Sequence, residues 1–187
     1  MHLPSTPLPG FTQDGLLPAG DYPLALGELR DSLLVTGEGA SSTTWDEAWR
    51  RHLVENLGTL AHQLWRIGIQ SIYVNGSFAK DKDHPNDIDD YFECDLLELA
   101  SGRLAQALNA LDPYGVWDWA PSSRTLDPVS GKAQLPMWHR YRVELYPHVG
   151  QPAGIVDNYG YQLQFPAAFR VRRSTYTPKG IIVLRRS

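Results

Sequence analysis

The chain has 187 residues, enough for one domain with its own hydrophobic core but short for two, and residues 1–187 are taken as a single domain. Its net charge of −4 argues against a general nucleic-acid binder, which needs a global basic field, and its only cysteine, Cys94, excludes an intrachain disulfide. No apolar run of about 18 residues is present and the N-terminus does not resemble a signal peptide, so we expect a cytoplasmic protein without a membrane partner.

The N-terminal segment predicts an arm rather than a regular element. Residues 1–23 are rich in proline and glycine, which disfavour helix and strand, so we expect an extended arm anchored by Phe11, Leu16 and Leu17. The next residues, 24–36, are compatible with a short helix.

The strongest periodic pattern in the chain predicts an amphipathic helix over residues 45–67. Its apolar residues recur at steps of three and four, at Trp45, Trp49, Leu53, Leu57, Leu60, Leu64 and Ile67. Thr44 and Glu47 have the spacing of a capping box at its start, and Gly68 supplies the glycine that typically follows a helix end.

Three short segments after this helix predict a small sheet. Their residue patterns predict strands over residues 69–74, 87–94 and 140–149. Residues 103–111 predict a short helix, whereas residues 113–136 predict a loop with little regular structure. The order helix, strand, strand, helix, strand indicates an α+β fold, with a small mixed central sheet flanked by helices.

Three aspartates lie close together at the start of the second predicted strand. Asp87 and Asp89 are two positions apart, which places both carboxylates on one face, while Asp90 points to the other. Such carboxylates repel each other unless a cation compensates them, and magnesium binds carboxylate oxygen while leaving positions for water and phosphate. The alternative is a solvated acidic turn. An EF-hand loop does not fit, because it lacks the required glycine and contains Pro85.

A glycine turn in front of the aspartates indicates a phosphate site. Gly76 permits close approach of a phosphate to backbone N–H groups, and Ser77 adds a hydroxyl donor. If residues 78–80 open a helical turn, its N-terminus would also face the anion, next to Lys80.

These segments resemble the signature of the polymerase-beta-like nucleotidyltransferase superfamily, which is Gly-Ser, a loop of about this length, and Asp-x-Asp on a strand. The resemblance implies a nucleotidyltransferase-like fold and three carboxylates that hold two magnesium ions, with manganese as a substitute. Glu144, on the third predicted strand, takes the third position. The LPAGDY arm, NGSFAKDKDHPNDID and KGIIVL also resemble an uncharacterised prokaryotic family of small nucleotidyltransferase-like proteins.

The resemblance implies transfer of a nucleoside monophosphate from a nucleoside triphosphate, with ATP as the first expectation, and release of pyrophosphate. The acceptor would be a hydroxyl of a protein, an RNA or a small molecule, in a setting such as a toxin–antitoxin or phage-defence system. Asp87, Asp89 and Glu144 would be both the catalytic residues and the metal ligands. The nucleotide ligands would be Gly76, Ser77, Lys80, Arg140 and Arg142. The alternative is an inactive nucleotidyltransferase fold that binds a nucleotide, an RNA or a partner protein.

The basic residues and the tryptophans in the second half of the chain each allow more than one interpretation. Arg140 and Arg142 have the parity of Glu144 on a strand and are therefore expected in the same cleft. The basic segment 168–187 has six basic residues and no acid, and it is either solvated or binds phosphate, RNA or protein. Aromatic residues that either pack in the core or line a base pocket are Trp117, Trp119 and Trp138.

Overall fold

The computed structural model of the protein describes residues 8–186 and contains both helices and strands. The strands are β1 (Asp21–Ala25), β2 (Ser71–Asn75), β3 (Ile88–Glu93), β4 (Thr125–Asp127), β5 (Lys132–Gln134), β6 (Val143–His148), β7 (Pro152–Val156), β8 (Gln162–Gln164) and β9 (Ile181–Arg185). The helices are α1 (Leu26–Arg30), α2 (Leu33–Thr36), α3 (Glu47–Arg66), α4 (Leu96–Ala100), α5 (Arg103–Asn109), α6 (Pro136–Tyr141) and α7 (Phe165–Ala168), with a 3-10 turn at Pro121–Ser123.

Five of the strands form one mixed sheet in the order β1-β9-β2-β3-β6. β1 runs parallel to β9 and β3 runs parallel to β6, whereas β2 is antiparallel to both of its neighbours. The hairpins β4–β5 and β7–β8 form two smaller sheets of their own. The predicted α+β class with a mixed central sheet is therefore confirmed.

Helix α3 packs on one face of the sheet and forms the main core with it. Its predicted apolar stripe is fully buried at Leu53, Leu57 and Leu60, in one cluster with Val74 and Phe92 of the sheet. Burial of each such side chain contributes about 1.5–3 kcal/mol to stability. No helix in residues 8–186 has the length and apolar character needed to cross a lipid bilayer.

The start of α3 differs from the predicted capping box. Asp46 is the N-cap, and its Oδ1 accepts a hydrogen bond of 2.9 Å from the backbone three positions further on. The box of Thr44 and Glu47 is wrong, because the Thr44 hydroxyl donates to the carboxylate of Asp83 instead. At the other end, Gly68 has a φ of +97° and follows the helix as predicted.

The N-terminal arm packs on the domain, as predicted, where the structure describes it. Leu16 and Leu17 are 2% and 1% exposed, and Phe11 is partly buried against the core. Residues 1–7 of the predicted arm lie outside the described residues. The arm then becomes an edge strand, β1, and α1 and α2 replace the single helix predicted for 24–36.

Two predictions for the middle of the chain are wrong. Residues 113–136 contain a 3-10 turn and the hairpin β4–β5 rather than an irregular loop. The strand predicted from residue 140 starts only at Val143, because Pro136 opens helix α6 over the preceding residues.

The basic segment 168–187 contains a strand of the central sheet that was not predicted from the sequence. Residues 181–184 are buried and β-branched or leucine, so they form β9 between β1 and β2. The basic side chains of the segment lie before Ile181 or after Leu184, and Arg185 is the last residue of the strand. The segment is therefore part of the sheet and not an appended tail.

Candidate functional site

The predicted catalytic carboxylates meet in one cleft. Asp89 on β3 and Glu144 on β6 are register partners on adjacent parallel strands, and Asp87 directly precedes β3. All three line an open cleft of about 820 Å³, which is within the size range of ligand pockets. Other residues that line it are Gly76, Ser77, Lys80, Asn86, Arg124, Ser130, Lys132, Gln134, Trp138 and Tyr146, and, further along the chain, Ala153, Ile155, Phe165, Ala168, Phe169, Val171, Arg172, Arg173, Ser174 and Lys179.

The negative charges of the three carboxylates are only partly offset by nearby cations. Burial and the negative charges of Asp87 and Glu144 raise the pKa of Asp89 to about 7. A carboxyl with so high a pKa takes up a proton or a cation readily near neutral pH. The charge problem expected from the sequence therefore exists in the folded protein.

Two of the carboxylates have fixed hydrogen-bond partners. Trp138 donates its indole N–H to Asp87 Oδ2 at 2.7 Å. Tyr146 donates its hydroxyl to Glu144 Oε2, and Arg124 Nη1 lies 3.5 Å from Glu144 Oε1. Tyr146 has the same strand parity as Glu144, a signal that was present in the sequence. No sequence pattern connects Arg124 with Glu144.

Asp90 lies on the opposite side of β3 from the cleft, as its parity predicted. It is fully buried, and neither of its carboxylate oxygens has a hydrogen-bond partner within the described residues. Burial raises the pKa of Asp90 well above its usual value, with a further contribution from Asp89 and Asp87. The raised pKa favours the neutral, protonated form of Asp90, which does not belong to the carboxylate site.

Gly76 stands directly over Asp89. Its φ is +69°, which favours glycine, and a Cβ at this position would overlap Asp89 Oδ2. The chain continues through Ser77 to Lys80 as a turn and not as a helix, so the predicted helix N-terminus is absent at this place. Gly76, Ser77 and Lys80 nevertheless line the same cleft as the carboxylates.

A buried arginine that sequence reasoning missed holds the loop after this turn. Arg50 of α3 is fully buried and donates from Nη1 to the carbonyl of Leu34 at 2.6 Å and to that of Phe78 at 2.8 Å. Its Nη2 donates to the carbonyls of Lys80, at 3.1 Å, and Lys82. These hydrogen bonds hold the loop between the glycine turn and the aspartates against helix α3. A charged residue within the otherwise apolar core side of α3 was the available signal.

Cationic side chains form one wall of the cleft, which we call the cationic wall. It consists of Lys80, Arg172, Arg173 and Lys179. Lys179 is only 8% exposed and donates to the Oδ1 of the buried Asn75. The phosphate-binding alternative for the basic segment thus has three of its six basic residues in the cleft. The others lie elsewhere: Arg170 pairs with Asp21, and Arg185 and Arg186 are exposed.

Two predicted nucleotide ligands lie outside the cleft. Arg140 is on helix α6, with its guanidinium 3.9 Å from the ring centroid of Tyr114. Arg142 ends that helix in a left-handed conformation, with φ of 56°, and stacks 3.9 Å over Trp138. The shared strand face with Glu144 is therefore wrong, because neither arginine is on the strand.

The three tryptophans divide between core and cleft. Trp117 is buried and donates to Gln63, and Trp119 donates to the Leu145 carbonyl at 2.7 Å and packs against the core. Only Trp138 of the three lines the cleft, and its N–H is already bound to Asp87. A base pocket built from all three is therefore wrong.

The carboxylate oxygens of the cleft suit a hard divalent cation, although the side chains are not yet arranged to coordinate one. Within residues 8–186, no three His, Cys, Asp or Glu side chains are placed so that they could already hold a metal ion. Carboxylate oxygens, such as those of Asp87, Asp89 and Glu144, are nevertheless the donors that magnesium and manganese prefer. A joint ligand set would require Glu144 to turn away from Arg124.

Comparison with known proteins gives a family but no activity. No curated protein and no solved structure matches the chain. One family model matches residues 9–185, which is nearly the whole sequence. The protein belongs to DUF6932, a family of unknown function.

Proposed function

We propose that the protein is a metal-dependent nucleotidyltransferase with a nucleotidyltransferase-like fold. The observation that carries the proposal is the in-register pair of Asp89 and Glu144, with Asp87 beside it and the Gly76 turn directly above. A phosphate-accepting turn and three acidic side chains in one cleft are what transfer of a nucleotidyl group requires. The donor is a nucleoside triphosphate, with ATP as the first candidate, and the acceptor is a hydroxyl.

In the proposed reaction an acceptor oxygen attacks the α-phosphorus of the nucleoside triphosphate. The bond between that phosphorus and its bridging oxygen to the β-phosphate breaks, and pyrophosphate leaves with the electron pair. The proton of the acceptor hydroxyl passes to solvent. The backbone at Gly76, the Ser77 hydroxyl and the Lys80 ammonium orient the phosphates against the carboxylates.

The carboxylates of Asp87, Asp89 and Glu144 would hold magnesium or manganese. When bound, the metal would lower the pKa of the acceptor hydroxyl and neutralise charge on the transferred group. Trp138 fixes the orientation of Asp87, and Tyr146 fixes that of Glu144. The raised pKa of Asp89 supports a compensating cation at this place, because burial and the charges of Asp87 and Glu144 outweigh the opposite effect of Arg173 and Lys179.

A second candidate function is a binding module that lacks catalysis. The observation that favours it is the contact of Glu144 with Arg124, which gives the third carboxylate a protein cation in place of a metal. Such a module would bind a nucleotide in the same cleft without transferring any part of it.

The test incubates the protein with each α-labelled nucleoside triphosphate, magnesium or manganese, and a lysate of its host. The proposal expects label on a macromolecule or small molecule with the wild-type protein and with Glu55→Gln, which removes an exposed acid of α3 far in sequence from the cleft residues. It expects no transfer with Asp89→Asn. Transfer that survives Asp89→Asn would refute the assigned site. A thermal shift with ATP and metal but no transfer would favour the binding module.

A further inference from the structure

The cationic wall is a group of positive charges that form no salt bridge within residues 8–186, although the charge of Asp89 acts on Lys80 and Lys179. Lys80 comes from the glycine turn, whereas Arg172, Arg173 and Lys179 come from the segment that leads into β9. None of the four forms an ion pair within residues 8–186, although acids are available on the surface. Four positive charges gathered next to the single carboxyl of Asp89 leave a local excess of positive charge, which attracts an anion from solution.

Lys179 is held in this wall by a buried polar connection. Its ammonium donates to Asn75 Oδ1, and the Asn75 amide donates in turn to the carbonyls of Phe169 and Gly180, the latter at 3.4 Å. Asn75 is fully buried at the end of β2, directly before the glycine turn. The hydrogen-bond partner of this nearly buried ammonium is neutral, and the charge of Asp89 offsets the cost of burial only in part, so an anion that reaches Lys179 would stabilise it.

The cations of the wall also oppose one another. Burial lowers the pKa of Lys80, and the charges of Arg172 and Arg173 lower it further. Burial lowers the pKa of Lys179 to about 7, and the nearby Lys80 adds to this effect. These shifts report a local excess of positive charge that an anion would relieve.

We propose that the cationic wall is a binding site for a condensed phosphate chain, and that it works without a divalent cation. A chain of three phosphates carries roughly as many negative charges as the wall carries positive ones, whereas a single phosphate carries about half as many. The guanidinium groups of Arg172 and Arg173 suit phosphate oxygens, and Lys179 adds a fixed point charge. The identification of this ligand with the triphosphate of the donor nucleotide rests on the proposed function.

The experiment measures binding of inorganic tripolyphosphate by calorimetry in EDTA, at low salt and about pH 6.5, where lysine side chains are protonated. The double variant Arg172→Gln/Arg173→Gln removes two charges from the wall. The matched control Arg185→Gln/Arg186→Gln removes two charges from exposed positions outside the cleft. We expect the first pair to weaken binding roughly tenfold or more and the second to leave it nearly unchanged.

Further variants separate this site from the proposed reaction. Asp89→Asn should bind tripolyphosphate at least as tightly as the wild type, because it removes a negative charge near Lys179 while it abolishes nucleotidyl transfer. Lys179→Met keeps the buried aliphatic stem and should weaken binding. Binding without transferase activity would leave the site standing and refute the proposed function.

Three results would overturn the site. They are equal weakening by the two arginine pairs, binding of orthophosphate as tight as that of tripolyphosphate, and tight binding of a single-stranded RNA that tripolyphosphate does not displace. The first would indicate a diffuse charge effect, the second a site for one phosphate, and the third a nucleic-acid surface.

Discussion

Arg50 donates a hydrogen bond of 2.8 Å from Nη1 to the carbonyl of Phe78, and this contact joins the long helix to the turn above the carboxylates. The guanidinium serves four backbone carbonyls from a fully buried position. Burial lowers the pKa of Arg50 to about 9, which still leaves it charged at neutral pH. The loop that follows the glycine turn therefore depends on one side chain of α3.

Replacement of Arg50 by methionine should destabilise the fold strongly. Each buried carbonyl left without a donor costs about 1–3 kcal/mol, so we expect the free energy of unfolding to fall by about 3 kcal/mol or more. The measurement is urea denaturation followed by tryptophan fluorescence. Arg51→Met is the control, because Arg51 forms a partly exposed ion pair with Glu47 that contributes about 0–1 kcal/mol. Similar losses in both variants would contradict the role of Arg50.

Gly76→Ala should impair the site more than backbone strain alone explains. A Cβ there meets Asp89 Oδ2 in addition to the strained φ of +69°. Gly115→Ala is the matched control, because Gly115 has a φ of +61° but nothing within 4 Å of the point that a Cβ would occupy. We expect both variants to lose about 1 kcal/mol of stability, with a further loss and reduced nucleotide binding only for Gly76→Ala. Equal effects would show that Asp89 yields without cost.

Asp90 should make the wild-type protein less stable as the pH rises. Its folded-state pKa is raised well above the unfolded value of about 3.9, so unfolding releases a proton between the two pKa values. In that window the free energy of unfolding falls with rising pH by about 1.4 kcal/mol per pH unit from this group. Below the unfolded pKa the contribution is complete, and above the folded pKa no further loss occurs.

Asp90→Asn tests this directly. The variant lacks the titration, so its stability relative to the wild type, measured by urea denaturation, should increase as the pH rises from about 3.9 through the window between the two pKa values. A difference that stays constant across that range would mean that Asp90 is already ionised in the folded protein.

If the proposed function holds, Trp138→Phe should weaken magnesium-dependent nucleotidyl transfer while preserving the fold. The change keeps an aromatic ring against Arg142 but removes the 2.7 Å hydrogen bond to Asp87 Oδ2. Loss of such a partner typically costs about 10–100-fold in metal affinity or activity, so a higher magnesium concentration should be needed for half-maximal transfer. Trp119→Phe loses an equivalent bond to the Leu145 carbonyl outside the cleft and should leave the magnesium dependence unchanged.

The sequence predicts those parts of the structure that depend on the spacing of neighbouring residues along the chain. The apolar stripe of α3 follows from steps of three and four, and the opposite faces of Asp89 and Asp90 follow from strand alternation. The residue pattern also predicts Glu144 on a strand, the family resemblance implies one site with Asp89, and the two residues are register partners in the sheet. The chemistry assigned to these residues stays a prediction.

The prediction of side-chain direction from strand alternation was wrong where a short helix takes the place of the start of the predicted strand. Pro136 starts α6, and this one residue removes Arg140 from the strand on which its side-chain direction was expected. The contact of Arg124 with Glu144 depends on how the hairpin β4–β5 folds over the cleft, which no local pattern specifies. The place of Lys179 likewise depends on β9, whose apolar residues lie between clusters of arginine and lysine.

The parallel pairing of β1 with β9 has a consequence for how the protein folds. It joins Asp21 to Ile181, and β9 also pairs Val74 with Ile182, so this strand pairs only with residues that are distant in sequence. Such contacts incur the cost of closing long loops before any of their stabilisation is gained, which slows folding. Helix α3 and the β2–β3 hairpin can form early from local contacts. The cleft, whose cationic wall enters with β9, is expected to be completed in the last and slowest step of folding.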